Sequence, residues 1–168
     1  AIDNYIPAGP GGNPPAQTYA ERAVTVVCVD EAGEPISSAA RQAVDDLLQA
    51  EREVNFVVNV IDPTYTTIDV AFTATAWPGW DPADVEAAAI SAVRNYLSPA
   101  DWGQPTFGEA RGWVNEPRVR LLEVAQVLNS VEGLRYVESL TLNGLAADVE
   151  MEGVAPLPRP GTISGTVS

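Results

Sequence analysis

The chain has 168 residues, and 23 acidic against 9 basic side chains give it a formal charge of −14. Every basic residue is Arg and there is no His, which excludes the Ser-His-Asp triad, the Cys-His pair, the His-ligated metal and the imidazole proton shuttle. The single cysteine, Cys28, permits neither an internal disulfide nor a thiolate zinc cluster, and the acidic balance opposes both nucleic acid and anionic membrane surfaces.

The length suits one compact domain with arms. No apolar run approaches the ~20 residues that span a bilayer. The start at Ala1 shows no basic-then-apolar leader, and the missing Met suggests a segment or a processed form. Residues 1–18 are rich in Pro and Gly and read as an N-terminal arm; 19–152 read as the folded domain; 153–168, with Pro156, Pro158 and Pro160, read as a Pro-rich extended strap.

In chain order, the apolar β-branched run Ala23 to Asp30 predicts a buried strand, followed by a turn over residues 31–35. Ser37 or Ser38 caps a helix that runs to about Arg52, with Ala40, Val44, Leu47 and Leu48 on its apolar side and Val54 following. Val54 to Ile61 is a second strand. Thr66 to Ala76 is a third, with Ile68, Val70, Phe72 and Ala74 inward and Thr67, Asp69, Thr73 and Thr75 outward; a hairpin is expected across Asp62 to Tyr65.

Trp77-Pro78-Gly79-Trp80 breaks the pattern, and Asp81-Pro82 starts a helix with Val85, Ala89, Val93, Tyr96 and Leu97 on one stripe. A long loop from Ser98 to Gly112 carries Trp102 and Phe107. Asn115 is expected to open a third helix, with Val119, Leu122, Ala125 and Leu128 inward and Gly133 as its stop. Asn143-Gly144 predicts a hairpin between strands at 134–142 and 145–151. The resulting order, β-α-β-β-α-α-β-β, predicts an α+β fold: a mostly antiparallel sheet with helices packed on one face and extended arms at both ends.

Carboxylates in the first helical turn (Asp81, Asp84, Glu86) complement the helix dipole. Asp148, Glu150 and Glu152 alternate on one strand face, but they lack the ligand-dense loop and Gly turn of a calcium site. No residue supplies a base tuned near neutrality, so a two-carboxylate hydrolase has little support. Cys28 in an apolar strand reads as a structural thiol. Gly9, Gly11 and Gly12 have no flanking strand and helix, so the phosphate-cradle reading fails. The reading therefore assigns no catalytic residue, no metal and no cofactor. Trp77, Trp80, Trp102 and Trp113 sit at loop ends, where they either plug the core or line a protein contact. With Phe107 and Arg159 they form the candidate interface.

The order of these motifs says more. The run from Val24 to Ile68, the Pro78-Gly79 pair, the helix ending Tyr96-Leu97, the segment Val131 to Leu134, the Asn143-Gly144 hairpin and the closing Leu157 to Ile163 together resemble the C-terminal part of baseplate J-like proteins of phage tails. That resemblance implies a structural wedge or ring subunit of a virion tail baseplate. Its partners would be other copies of itself and neighbouring baseplate or tail-hub proteins, and it brings no catalytic residues. Arg in place of Lys suits bidentate contacts to a neighbour's carboxylates. The competing reading is an adhesion or ligand-binding module that uses the Trp-bearing loops.

Overall fold

A computed structural model describes residues 2–3, 5–8, 16, 22–102, 112–113 and 116–168. Among these residues the strands are β1 (Ile2–Asp3), β2 (Ala23–Val27), β3 (Val57–Ile61), β4 (Thr64–Ala76), β5 (Arg118–Val119), β6 (Leu134–Leu142), β7 (Val149–Glu150) and β8 (Pro156–Val167). The helices are α1 (Ser38–Glu51), α2 (Pro82–Tyr96) and α3 (Leu121–Asn129). The fold is α+β, and the chain divides into two compact units, Ala1–Pro63 and Thr64–Ser168.

The first unit is a β-α-β crossover with one added strand. The sheet order is β1-β2-β3; β1 runs antiparallel to β2, and β2 runs parallel to β3. The turn ahead of α1 closes on Asp30, whose Oδ1 accepts the N–H groups of Ala32 (2.9 Å) and Glu34 (2.8 Å). Ser37 caps α1 by accepting the Ala40 N–H at 3.1 Å, as the sequence predicts. The apolar stripe expected on α1 is not buried: no residue of the helix is, and Leu47 is exposed. Polar contacts tie α1 to β3 instead. Gln49 Nε2 donates to Val58 O at 2.8 Å, and Arg41 pairs with Asp62. Val54, expected to begin the strand, lies 94% exposed in a turn closed by Phe56 N–H on Glu53 O.

The hairpin expected across Asp62 to Tyr65 does not form. β3 is taken by β2 in a parallel ladder, and Pro63 interrupts the chain without an N–H to give. The next donor, Thr64 N–H, goes to Ala155 O at 3.0 Å and so begins a different sheet.

The second unit is built on β4, which pairs antiparallel with β6 and parallel with β8, in the order β6-β4-β8. The alternation read from the sequence holds: Ile68, Val70, Phe72 and Ala74 are buried, and Thr67, Asp69 and Ala71 are exposed. Helices cover the buried face, α2 against β8 and α3 against β6. Their inward residues are Val85, Ala89 and Val93 of α2 and Val124, Val127 and Leu128 of α3. Ile68, Leu128, Leu142 and Leu157 are fully buried, each worth about 1.5–3 kcal/mol of transfer free energy.

The remaining departures have local causes. Asn143 (φ +49) and Gly144 (φ +78) make the expected tight turn, bridged from Leu142 to Leu145. The second arm leaves the sheet at once, however, and β7 pairs with β5. Asp148 explains the departure: its Oδ1 accepts the Leu121 N–H at 2.9 Å and so caps α3, whose own N-cap position, Arg120, supplies no side-chain bond. The third helix therefore starts at Leu121. Val119 is buried in β5, Leu122 is exposed, and the expected opening at Asn115 lies outside the described residues. Within the segment read as a Pro-rich strap, residues 153–155 bend, with Gly153 at φ +112°, and Pro156 to Val167 pair with β4 of the same chain, so the sheet is mixed.

Candidate interface at the bulged end of the central sheet

Where β4 ends, Trp77-Pro78-Gly79-Trp80 forms a type II turn. Trp80 N–H reaches Trp77 O at 3.2 Å, Pro78 presets the first corner, and Gly79 takes the positive φ (+98°) of the second. Trp77 N–H donates to Gly133 O at 2.8 Å, joining the turn to the start of β6. Gly133, at φ +89°, lies directly under the Trp80 indole: a Cβ there would sit 2.6 Å from Cδ2 and Cε3.

β6 is irregular opposite this turn. Thr75 pairs with Tyr136 and Ala76 with Leu134, which leaves Arg135 without an opposite residue. Thr73 pairs with Ser139 and Ala74 with Val137, which leaves Glu138 likewise. Such bulges bend a strand and re-aim side chains. Thr75 Oγ1 donates to Glu138 at 2.7 Å. Arg135 lies over two rings, with its guanidinium carbon 5.0 Å from the Trp77 centroid and 5.7 Å from the Tyr136 centroid.

Trp77 (50%), Trp80 (45%) and Tyr136 (46%) are about half exposed, and among the described residues no carboxylate pairs with Arg135. Stacking of this kind is worth about 0.5–1 kcal/mol at exposed sites. It also holds the planar fork in one place, ready for a bidentate carboxylate. Trp, Tyr and Arg are the residue types that dominate protein contacts.

The sequence reading finds Trp77 and Trp80 here and misses Arg135 and Tyr136, because nothing in the alternation of β6 marks a bulge. The other candidates lie elsewhere. Trp102 closes the 3-10 turn Pro99–Asp101 at φ +54°, and its C=O accepts the Trp113 N–H at 3.1 Å. Trp113 is buried, edge-on to Tyr96 with centroids 5.5 Å apart. Tyr96 Oη donates to Glu123 at 2.9 Å; burial first, and that carboxylate second, push the phenol above the usual tyrosine range. Arg159 stacks on Tyr65 at 4.2 Å. Phe107 lies outside the described residues.

The acidic residues have local work. Asp81 caps α2 by accepting the Ala83 N–H at 2.9 Å, Asp148 caps α3, and Glu150 pairs with Arg118. The outward polar residues of β4 also bond across strands, with Thr73 and Ser139 hydroxyls 2.7 Å apart.

No family model matches this chain, and no curated protein matches it. Among solved structures, a chain in the cryo-EM structure of the anti-feeding prophage baseplate, 6-fold symmetrised, superposes on 82% of this chain with a TM-score of 0.52 at 14% identity. This chain spans 29% of that one. The two share a fold: an α+β arrangement also found within a phage-like baseplate chain.

Proposed function

We propose that this chain is a structural component of a phage-tail-type baseplate, a wedge or ring subunit of the J-like kind that works by contact with its neighbours. The observation that carries the reading is the shared fold with a baseplate chain over 82% of the length. The half-exposed Trp77, Trp80 and Tyr136 around Arg135 support it, because they offer hot-spot chemistry with no occupant among the described residues. In this reading the partners are further copies and neighbouring tail proteins. Ile2–Asp3, expected within an N-terminal arm, pair instead with β2 of the same chain, and in this reading the chain resides in the virion tail.

The test is mass spectrometry and immunogold labelling of tail particles purified from cells that express the protein at native level. The chain is expected in the particles, with label at one tail end. Its absence from intact particles would remove the proposal. The exposed Trp77 and Trp80 also favour a second reading, an adhesion or ligand-binding module. Saturable binding in a glycan screen, lost in Trp80→Ala, would select that one.

A further inference from the structure

β8 is an edge strand whose two halves differ. Its first bond, Thr64 N–H to Ala155 O, and its last two, Ser168 N–H to Ala74 O (3.0 Å) and Ala76 N–H to Ser168 O (2.9 Å), fix which residues face β4. In a parallel ladder every second residue turns both backbone groups to its neighbour. With Thr64 opposite Pro156 and Ile68 opposite Pro160, the residues facing β4 are Leu157 and Arg159, and the nitrogens of Pro156, Pro158 and Pro160 face the open edge. The register then shifts at Gly161-Thr162. Beyond it, Ser164, Thr166 and Ser168 face β4, and Ile163, Gly165 and Val167 turn their N–H and C=O groups outward.

Among the described residues nothing pairs with that outer side. Three prolines block the first half of the edge, since they have no N–H to offer. The second half, Gly161 to Ser168, has no Pro and no charged side chain in a chain with 32 charged residues (23 acidic and 9 basic). An open edge without charge or Pro is a template for strand addition.

We propose that a second copy of this chain adds here, β8 antiparallel to β8, about a two-fold axis at Gly165. An added strand must set apolar side chains beside Ile163 and Val167 on the helix-covered face. It must set small polar ones beside Thr162, Ser164 and Thr166 on the wet face, and it must carry no charge. β8 itself has that alternation. Pairing about Gly165 sets Ile163 opposite Val167 of the second copy as a hydrogen-bonded pair, and Ser164 opposite Thr166 as a non-hydrogen-bonded pair. The same hydroxyl pairing already occurs across this sheet at Thr73 and Ser139. Sliding toward the N-terminus is stopped by Pro160 and the bulge. Because α2 packs on β8, the axis places both copies of α2 on the same face of the joined sheet. The like charges of two copies oppose this pairing, so added salt strengthens it. The inference rests on the edge geometry and stands apart from the baseplate reading.

Sedimentation velocity of the full chain over a concentration series tests it. The expected result is a monomer–dimer equilibrium that tightens with salt. Ile163→Pro removes one outward N–H per copy, at a position whose N–H bonds nothing within the chain; it should weaken dimerisation about tenfold or more, against a monomer that circular dichroism shows still folded, while Ile163→Val, which keeps that N–H, should dimerise as wild type. A wild-type chain that stays monomeric at every concentration overturns the proposal, and so does a dimer indifferent to Ile163→Pro. Should that variant misfold, Ser164→Cys with Thr166→Cys in a Cys28→Ser background gives a second readout. Residues opposed in a non-hydrogen-bonded pair lie about 4.5 Å apart at Cα, within disulfide reach. Mild oxidation should then yield a covalent dimer, and an oxidised sample that remains monomeric overturns the register.

Discussion

Asp69 on β4 holds the bulge in β8: its Oδ1 accepts the Thr162 N–H at 2.7 Å, and a Cβ on the adjacent Gly161 would fall 2.2 Å from the same oxygen. The backbone of Asp69 is engaged as well, since its N–H donates to Asn143 Oδ1 (2.7 Å) and its C=O accepts the Asn143 N–H (2.8 Å). One residue thus joins the tight turn after β6 to the register shift in β8, and that shift decides which residues face the open edge. Asp69→Ala is expected to cost about 1–2 kcal/mol, because a charge-assisted bond to a backbone donor is lost at an exposed site. The measurement is a lower urea midpoint with an unchanged m-value. An unchanged midpoint would mean that the bulge holds without its carboxylate.

Gly133 makes the second prediction. Its φ of +89° and the Trp80 ring 2.6 Å from the place of a Cβ both oppose a side chain. Gly133→Ala is expected to destabilise by about 1–3 kcal/mol and to shift Trp80 fluorescence as the indole is lifted. The double variant with Trp80→Ala should lose less than the sum of the two single changes, because one clash is then gone. Strict additivity would show that backbone strain and the Val85 methyl, 2.9 Å from the same Cβ position, set the cost without Trp80.

The sequence made local features legible where one residue determines them. Ser37 and Asp81 cap their helices, Gly79 and Gly144 take positive φ, and β4 shows its buried face through Ile68, Val70, Phe72 and Ala74. It hid what depends on partners far along the chain. Pro156, Pro158 and Pro160 read as a strap because a Pro-rich run lacks donors; only the register with β4, which turns those nitrogens outward, makes a strand of them. Asp148 read as one of three alternating strand carboxylates, whereas it caps a helix 27 residues upstream. Leu47 kept helical spacing yet stayed exposed, because α1 is held to β3 by polar bonds from Gln49 and Arg41, and Val54 is exposed in the turn that follows the helix. The candidate interface was half visible for the same reason. Two Trp residues beside a turn stand out in any sequence, but the bulge that brings Arg135 between Trp77 and Tyr136 is a property of the pairing.

Arg135 is the centre of the third prediction. The stack over Trp77 and Tyr136 does not contribute to the core, so Arg135→Ala should change the melting temperature little. If the proposed baseplate role holds, it should also weaken binding of the chain to tail particles that lack it at least tenfold, the loss expected of a hot-spot Arg. Arg135→Lys should recover only part, since an ammonium keeps the charge and loses the planar fork. Surface plasmon resonance with such tail particles immobilised reads both. Full binding by Arg135→Ala would place the contact elsewhere on the chain.

Alkaline stability tests the contact between α2 and α3. Tyr96 donates to Glu123, and burial and that carboxylate raise its pKa in the folded chain well above the unfolded value of about 10. The sign follows from linkage. The folded state keeps the phenol proton where the unfolded state releases it, so this contribution is complete below about pH 10 and shrinks as pH rises further. The slope is at most about 1.4 kcal/mol per pH unit from this one group. In urea midpoints measured from pH 8 to 11, wild type should fall more steeply above pH 10 than Tyr96→Phe. At pH 8 the variant should be weaker by about 0.5–1.5 kcal/mol for the lost hydrogen bond. Parallel curves for the two proteins would show that Tyr96 ionises in the folded chain as readily as in the unfolded one.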